Sequence, residues 1–285
     1  MDSADRAPDA PADAAAEAVS QMADAVDRAI DEITGVPTDD GRIEVFAHGG
    51  ASIVAERRGQ VSSARTIVLV HGIGMGRKVF GDLVQRLEGE ALVVALDLPG
   101  YGDAPEPTRT PTIERMADLV AAYLRHLGRG PVVLLGHSMG TQVVTETAVR
   151  HPDTVDRLVL VAPTVDRHHR RALRQLWRLA RDLWGESPKV LLLGAREYVR
   201  AGPNLRRKMR AMLTHRPEAA YARVSAPTLV VRGEYDVVVP REWFDEVVAA
   251  IPNSRAFVVD GHRHETLIRT AEPTARVLDR WLSAP

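Results

Sequence analysis

A serine between two glycines is the feature of this sequence that best fits nucleophilic chemistry. The apolar run Val132–Leu135 leads into Gly136–Gly140, whose sequence is Gly-His-Ser-Met-Gly, and a helical pattern follows. A nucleophilic serine must project from a sharp turn between a strand and a helix, and flanking glycines relieve crowding in that turn. The N–H groups at the start of the helix then face the place where an oxyanion develops. The pattern therefore indicates a serine nucleophile at Ser138.

The elements that must position this serine form an alternation of strands and helices. Short runs rich in valine, isoleucine and leucine lack the polar–apolar alternation of a half-exposed sheet. Continuous apolar runs of this kind are typical of parallel strands buried on both faces. These runs are Ile43–Phe46, Ser52–Arg57, Thr66–Val70, Ala91–Leu96, Val132–Leu135, Leu158–Val161, Thr228–Val231 and Ala256–Val259. Helical patterns separate most of them, at Val79–Leu87, Ile113–Leu127, Thr141–Arg150, Trp243–Ala250 and Thr274–Leu282. The first two runs are predicted to form a hairpin. The sequence therefore predicts an α/β fold with a mostly parallel, doubly wound sheet of about eight strands.

Two segments lie outside this alternation. Residues 164–226 carry no strand signal and are predicted to form a helical cap, with one helix over Arg170–Trp184 and another that Asn204 would cap. Residues 1–40 are predicted to form an acidic N-terminal extension with a helix over Asp13–Ile33. The core is assigned to residues 41–163 and 227–285.

Charge is distributed unevenly between these segments. Residues 1–40 hold 11 Asp or Glu and 2 Arg, a local charge of −9, whereas residues 164–226 hold 15 Arg or Lys and 5 Asp or Glu, a local charge of +10. The net charge of only −1 argues against a general nucleic-acid-binding protein. An apolar stripe on the helix Asp13–Ile33 needs burial, so we expect it to dock on the cap, in the same subunit or in the partner of a homodimer.

Several classes of protein are disfavoured by composition. No apolar run approaches the roughly 18 residues of a membrane-spanning helix, so no integral membrane span is expected. The acidic N-terminus lacks the features of a signal peptide, which favours a cytoplasmic location. Cysteine is absent, which excludes a thiolate nucleophile and a zinc–thiolate site. The chain also lacks the common metal-protease and nucleotide-binding motifs, so neither a metal nor an organic cofactor is expected.

Five motifs, in order, make residues 41–285 resemble the α/β-hydrolase family. Besides the serine turn they are His71–Gly74 after a strand, Asp97–Gly102, Gly233–Asp236 after a strand, and a histidine after the last strand. The resemblance implies an α/β-hydrolase fold with an inserted helical cap, and a catalytic triad in the chain order Ser, Asp, His.

The resemblance also implies roles for the candidate residues. Ser138 would attack an acyl carbonyl, and Asp236 would orient and stabilise the imidazole of the base. Glu234 and Asp166 are the alternative acids. Asp97 and Asp103 are expected to brace a loop.

Two histidines compete for the role of the base. The Gly-His sequence at the end of the last strand favours His262. The length of the loop and the distance along the chain back to Asp236 favour His264, which we prefer.

Further residues are expected to surround the nucleophile. The backbone N–H of Met139 would form one half of an oxyanion hole, and that of Ile73, or else of Gly74, would form the other. His71 is expected to hydrogen-bond loop backbone, and His137 to shape the serine turn. The residues expected to line the substrate pocket are Gly74, His137, Trp177 and Trp184.

These features together predict a cofactor-independent serine hydrolase, and specifically a carboxylic-ester hydrolase for a small or medium apolar acyl substrate. One alternative is another reaction of the same triad: hydrolysis of a C–C bond, a thioester or a lactone, or acyl transfer. An alternative of a different class is a non-catalytic ligand-binding protein with this fold. Serine rather than aspartate at position 138 disfavours dehalogenase and epoxide-hydrolase chemistry, which needs a carboxylate nucleophile.

Overall fold

The computed structural model describes residues 42–170, 204–268 and 270–283. In these residues a single sheet contains eight strands in the order β1-β2-β4-β3-β5-β6-β7-β8. The strands are β1 (Arg42–His48), β2 (Ala51–Arg58), β3 (Thr66–Val70), β4 (Leu92–Asp97), β5 (Val132–His137), β6 (Val155–Val161), β7 (Thr228–Gly233) and β8 (Ser254–Val259). β2 is antiparallel to both β1 and β4, and all other neighbours are parallel. The predicted fold class is therefore confirmed.

Seven α-helices accompany these strands within the described ranges. They are α1 (Gly81–Leu87), α2 (Ile113–Leu127), α3 (Met139–Arg150), α4 (Leu205–Thr214), α5 (Glu218–Tyr221), α6 (Arg241–Ala250) and α7 (Glu272–Ser283). Short 3₁₀ turns occupy Arg77–Phe80, Pro152–Thr154 and Arg167–His169. None of the helices in the described part of the chain is long and apolar enough to cross a membrane.

The sheet is buried because helices cover both of its faces. Along β3, Val68 and Val70 belong to the core that includes α2, α3 and α6, whereas Ile67 and Leu69 belong to the core that includes α1 and α7. Every residue of β3 is consequently buried. This explains why the central strands show no polar–apolar alternation in sequence.

Some predicted boundaries differ from the observed ones. The turn of the predicted hairpin lies at Gly49–Gly50, between the two predicted runs. Strand β8 begins at Ser254 rather than Ala256, because an edge strand tolerates the half-buried Ser254 and the exposed Arg255 at its start. Helix α4 forms where a helix was predicted, and Asn204 is at its N-cap position as expected, but the Asn204 side chain makes no capping hydrogen bond.

Parts of two predicted segments lie outside the described residues. The helix over Asp13–Ile33 falls there, and so does all of the helix over Arg170–Trp184 except Arg170 itself, including Trp177 and Trp184, so these stay predictions. The boundaries of the cap and of the N-terminal extension stay predictions as well. Helices α4 and α5 lie within the range assigned to the cap.

Candidate active site

Ser138 occupies a sharp turn between β5 and α3. Its backbone angles are φ 53° and ψ −120°, in a region that residues other than glycine rarely adopt. The Ser138 N–H donates to the carbonyl of Val161 on the neighbouring strand β6 over 3.0 Å. A non-glycine residue in this conformation costs free energy and persists only where the surroundings fix it. The turn therefore presents the hydroxyl above the carboxyl end of the sheet.

The two glycines beside Ser138 are required for steric reasons. A Cβ atom on Gly136 would lie 2.5 Å from the carbonyl oxygen of Gly140. A Cβ on Gly140 would lie 2.2 Å from the carbonyl oxygen of Val70 on β3. Both neighbours are backbone atoms and cannot move aside as a flexible side chain can. Helix α3 can therefore pack this closely on the sheet only where these positions are glycine.

Ser138, His264 and Asp236 form a continuous hydrogen-bonded chain. The Nε2 atom of His264 lies 3.0 Å from Ser138 Oγ, and its Nδ1 atom lies 2.9 Å from Asp236 Oδ2. The three residues follow β5, β7 and β8, whose carboxyl ends meet at one edge of the sheet. All three are buried. The geometry suits transfer of a proton from the hydroxyl to the imidazole.

The carboxylate of Asp236 is held by its own turn. Its Oδ1 atom accepts the N–H groups of Val238 and Val239 over 2.8 and 2.9 Å, which leaves Oδ2 facing His264. The guanidinium of Arg232 fixes the same turn by donating to the carbonyls of Val239 and Asp236. Sequence reasoning did not identify Arg232. Its position inside an otherwise apolar strand was the available signal.

The rival acids have other partners. Glu234 Oε2 accepts the N–H of Gly261 over 2.9 Å, and Asp166 Oδ1 accepts the N–H of His168 over 2.9 Å. His262 is also buried, and its Nδ1 atom lies 3.8 Å from Glu265 Oε1. The structure thus brings His264, and not His262, between Ser138 and Asp236.

Two further buried histidines support the site through backbone contacts. The Leu98 N–H donates to His71 Nε2 over 3.1 Å, so the proton of the neutral ring is on Nδ1, which donates to the Gly72 carbonyl over 2.7 Å. His137 donates from Nε2 to the carbonyl oxygen of His264 over 3.0 Å. Burial lowers the pKa of both rings, and the nearby His264 helps to lower that of His137 to about 4. His71 thus bonds loop backbone as expected, while substrate contact by His137 stays a prediction.

The two elements expected to supply an oxyanion hole are adjacent to Ser138. A Cβ on Gly72 would lie 3.0 Å from Ser138 Cβ, so the loop that continues into Ile73 and Gly74 runs directly past the serine. Met139 is the first residue of α3, where backbone N–H groups have no carbonyl partner within the helix. The roles of Met139, Ile73 and Gly74 stay predictions.

An ion-pair cluster centred on the buried pair Arg77 and Asp97 braces the loops next to this site. The carboxylate of Asp97 accepts the backbone N–H groups of Arg77 and Asp103 and forms an ion pair with the Arg77 guanidinium. Arg77 also pairs with Glu56 at 3.1 Å and with Asp103 at 2.7 Å. Burial would lower the pKa of Arg77, but the carboxylates of Asp97 and Asp103 raise it overall. Asp97 and Asp103 therefore brace this loop, as expected from the sequence.

Metal-binding side chains are not clustered in the part of the chain that the structure describes. Among residues 42–170, 204–268 and 270–283, no group of three or more His, Asp or Glu has an arrangement that could hold a metal ion.

Known proteins resemble this chain in sequence and in fold. A pimeloyl-[acyl-carrier protein] methyl ester esterase of Neisseria meningitidis serogroup A is 42% identical over 109 residues, which are 38% of this chain and 33% of that protein, so this match spans about a third of its length. A protein of the same name from Xanthomonas campestris pv. campestris is 26% identical over 271 residues, which are 85% of this chain and 98% of that protein. The solved structure of a membrane phospholipase A superposes with a TM-score of 0.75 at 20% identity, and the match covers 93% of this chain and 91% of that one. At 20% identity, this similarity shows only that the two chains share a fold.

The family assignment rests on a match to the sequence profile of a family. The profile of the alpha/beta hydrolase family matches residues 67–280, which span β3 to α7 and include the serine turn and the loops that carry Asp236 and His264. The eight-stranded sheet and the serine turn agree with that match. The chain belongs to the alpha/beta hydrolase family.

Proposed function

We propose that this chain is a cofactor-independent serine hydrolase that cleaves carboxylic esters through an acyl-enzyme on Ser138. The observation that carries the proposal is the hydrogen-bonded chain from Asp236 through His264 to Ser138, at a strained turn. A structural serine would not need this conformation or a buried imidazole beside its hydroxyl.

The first half of the reaction acylates the serine. With Nδ1–H donated to Asp236, the Nε2 atom of His264 has a free electron pair and accepts the proton of the Ser138 hydroxyl as Oγ attacks the ester carbonyl. The amides of Met139 and Ile73 stabilise the negative charge on the tetrahedral intermediate. The intermediate then expels the alcohol, which takes the proton from Nε2.

The second half regenerates the enzyme. A water molecule gives a proton to His264 Nε2 and attacks the acyl carbonyl on Ser138. The second tetrahedral intermediate expels Ser138 Oγ, which recovers the proton, and the carboxylic acid leaves. Asp236 remains ionised and stabilises the imidazolium in both halves.

Esters are the substrate class that the relatives favour. Two of the matched proteins are named as methyl ester esterases, and their alcohol leaving group is small. We propose an apolar acyl chain of small or medium length, covered by the predicted cap and its Trp177 and Trp184. The cytoplasmic location inferred from the sequence stays a prediction.

A series of p-nitrophenyl esters from acetate to dodecanoate tests this function. The wild-type chain should hydrolyse the shorter members, and a fluorophosphonate probe should label Ser138 with loss of activity. Ser138→Ala should abolish both results, whereas Ser62→Ala, which changes an exposed serine, should change neither. Labelling without turnover of any ester would favour one of the other acyl substrates. A folded protein that is neither labelled nor active would favour the ligand-binding alternative.

A further inference from the structure

A lysine is buried beside the candidate active site. The side chain of Lys208 is only 1% exposed, although the other basic residues on helix α4, Arg206, Arg207 and Arg210, are exposed. A buried ammonium group is unfavourable unless it is paired and hydrogen-bonded. The position of Lys208 therefore has to be explained by its partners.

Those partners belong to the loop that follows β4. Lys208 Nζ donates to the carbonyl of Gly100 and to Glu106 Oε2, the latter over 2.8 Å. The same nitrogen lies 4.5 Å from the centroid of the Tyr101 ring, within the range of a cation–π interaction. Helix α4 is thus joined to the loop by two hydrogen bonds and one ring contact.

The backbone of the loop is shaped for this approach. Gly100 has φ 75°, and a Cβ at this position would lie 2.9 Å from Lys208 Nζ and 2.4 Å from Glu106 Oε2. The glycine therefore leaves the space in which the ammonium group meets the carbonyl and the carboxylate.

Tyr101 connects this lysine to both candidate oxyanion elements. Its ring packs edge-on against His71, with centroids 5.1 Å apart, and His71 in turn donates to the Gly72 carbonyl. Its hydroxyl lies 3.6 Å from the sulfur of Met139. One aromatic side chain therefore contacts the support of the loop before Ile73 and the first residue of α3.

From these contacts we infer that Lys208 is a positioning residue for the oxyanion hole. The inference rests on the proposed function, because it concerns how Ile73 and Met139 present their amides to the reacting carbonyl. Lys208 does not contact the reacting atoms. It holds Tyr101 and the Gly100 loop, which fix the separation of the two amides. Its loss should weaken stabilisation of the transition state more than binding of the ester.

The experiment compares variants of the full chain at position 208. Lys208→Met should lower kcat by about tenfold, with KM changed less than about twofold, since removal of oxyanion stabilisation acts on the transition state. Affinity for a trifluoromethyl ketone, which forms an oxyanion adduct with a serine, should fall by a similar factor. Lys208→Arg should recover most of both losses, because it keeps a cation over Tyr101. Arg206→Met, an exposed change on the same helix, is the control and should match the wild type.

The kinetics are expressed per active site titrated with a fluorophosphonate, which separates a loss of folded protein from a loss of rate. Unchanged kcat and ketone affinity in Lys208→Met would overturn the inference, even if the melting temperature fell. If that variant does not fold, Lys208→Gln carries the test, and the same unchanged values would overturn it. A wild-type chain that is inert to esters and to the probe would instead overturn the proposed function.

Discussion

The Nε2–H of His137 donates to the carbonyl oxygen of His264, which joins the residue before Ser138 to the residue whose ring faces it. The centroids of the two imidazole rings lie 5.3 Å apart. His264 sits on a loop after the edge strand β8, whereas His137 ends the central strand β5. Gly233 lets this loop approach β7, since a Cβ there would lie 2.2 Å from the carbonyl oxygen of Arg263. A side chain at the end of the central strand thus holds a loop that begins at the edge of the sheet.

The choice between the two candidate bases leads to the first prediction. His264→Ala should lower kcat for ester hydrolysis by roughly 10⁴- to 10⁶-fold, as severely as Ser138→Ala, because it removes the proton acceptor. His262→Ala should be much milder, since the hydrogen bonds to Ser138 and Asp236 remain. Steady-state kinetics on one p-nitrophenyl ester would measure kcat for both variants. The opposite order of severity would move the base to His262.

The second prediction concerns stability against pH. Burial, with the neighbouring His264, lowers the pKa of His137 to about 4, whereas an exposed histidine titrates near 6.5. Between these values the unfolded chain binds more protons than the folded one, so the free energy of unfolding falls as pH falls from 6.5 to 4. This residue should contribute up to about 3 kcal/mol of that loss. Urea unfolding of His137→Gln should show a shallower dependence over this window, and an equally steep one would contradict the assignment.

The buried cluster around Asp97 gives a third prediction. Arg77→Met should lower the free energy of unfolding by about 3–5 kcal/mol, because it leaves the fully buried carboxylate of Asp97 without its counter-charge. Arg86→Met removes an exposed pair with Asp82 and should cost only about 0–1 kcal/mol. Urea unfolding at neutral pH compares the two variants. Equal losses would show that burial of the first pair has no energetic consequence.

A fourth prediction concerns the acidic N-terminal segment. Strand β1, which follows it, leaves Ile43 57% and Val45 66% exposed. The apolar stripe predicted over Asp13–Ile33 is unfavourable in water and should be buried against another surface. The basic residues of the predicted cap should attract the acidic residues of this helix, so we expect it to dock on the cap of the same chain or of a partner. Deletion of residues 1–36 should therefore change either the mass in solution or KM, without affecting labelling of Ser138. Light scattering measures the mass in solution, and steady-state kinetics measure KM. If the mass, KM and melting temperature are all unchanged, the N-terminal segment makes no contact that affects assembly, catalysis or stability.

Sequence patterns predicted most of the sheet because its central strands are uniformly apolar, and motif order placed Ser138 and Asp236 in the turns where they lie. They did not reveal Lys208, since a lysine in a basic amphipathic helix normally faces solvent. Its burial depends on Gly100 and Glu106, more than 100 residues earlier in the chain. The choice between His262 and His264 likewise depended on the path of a loop, which is fixed by tertiary contacts with Gly233 and His137.

The order of the strands along the chain also determines when the site is completed. Ser138 and Asp236 follow β5 and β7, but His264 comes after β8, which is the last of the eight described strands along the chain and lies beside β7 at the edge of the described sheet. A nascent chain that has been synthesised only as far as β8 therefore carries Ser138 and Asp236 but still lacks the imidazole of His264. Under the proposed mechanism such a chain is catalytically silent, and activity begins only once the loop after β8 has also been synthesised.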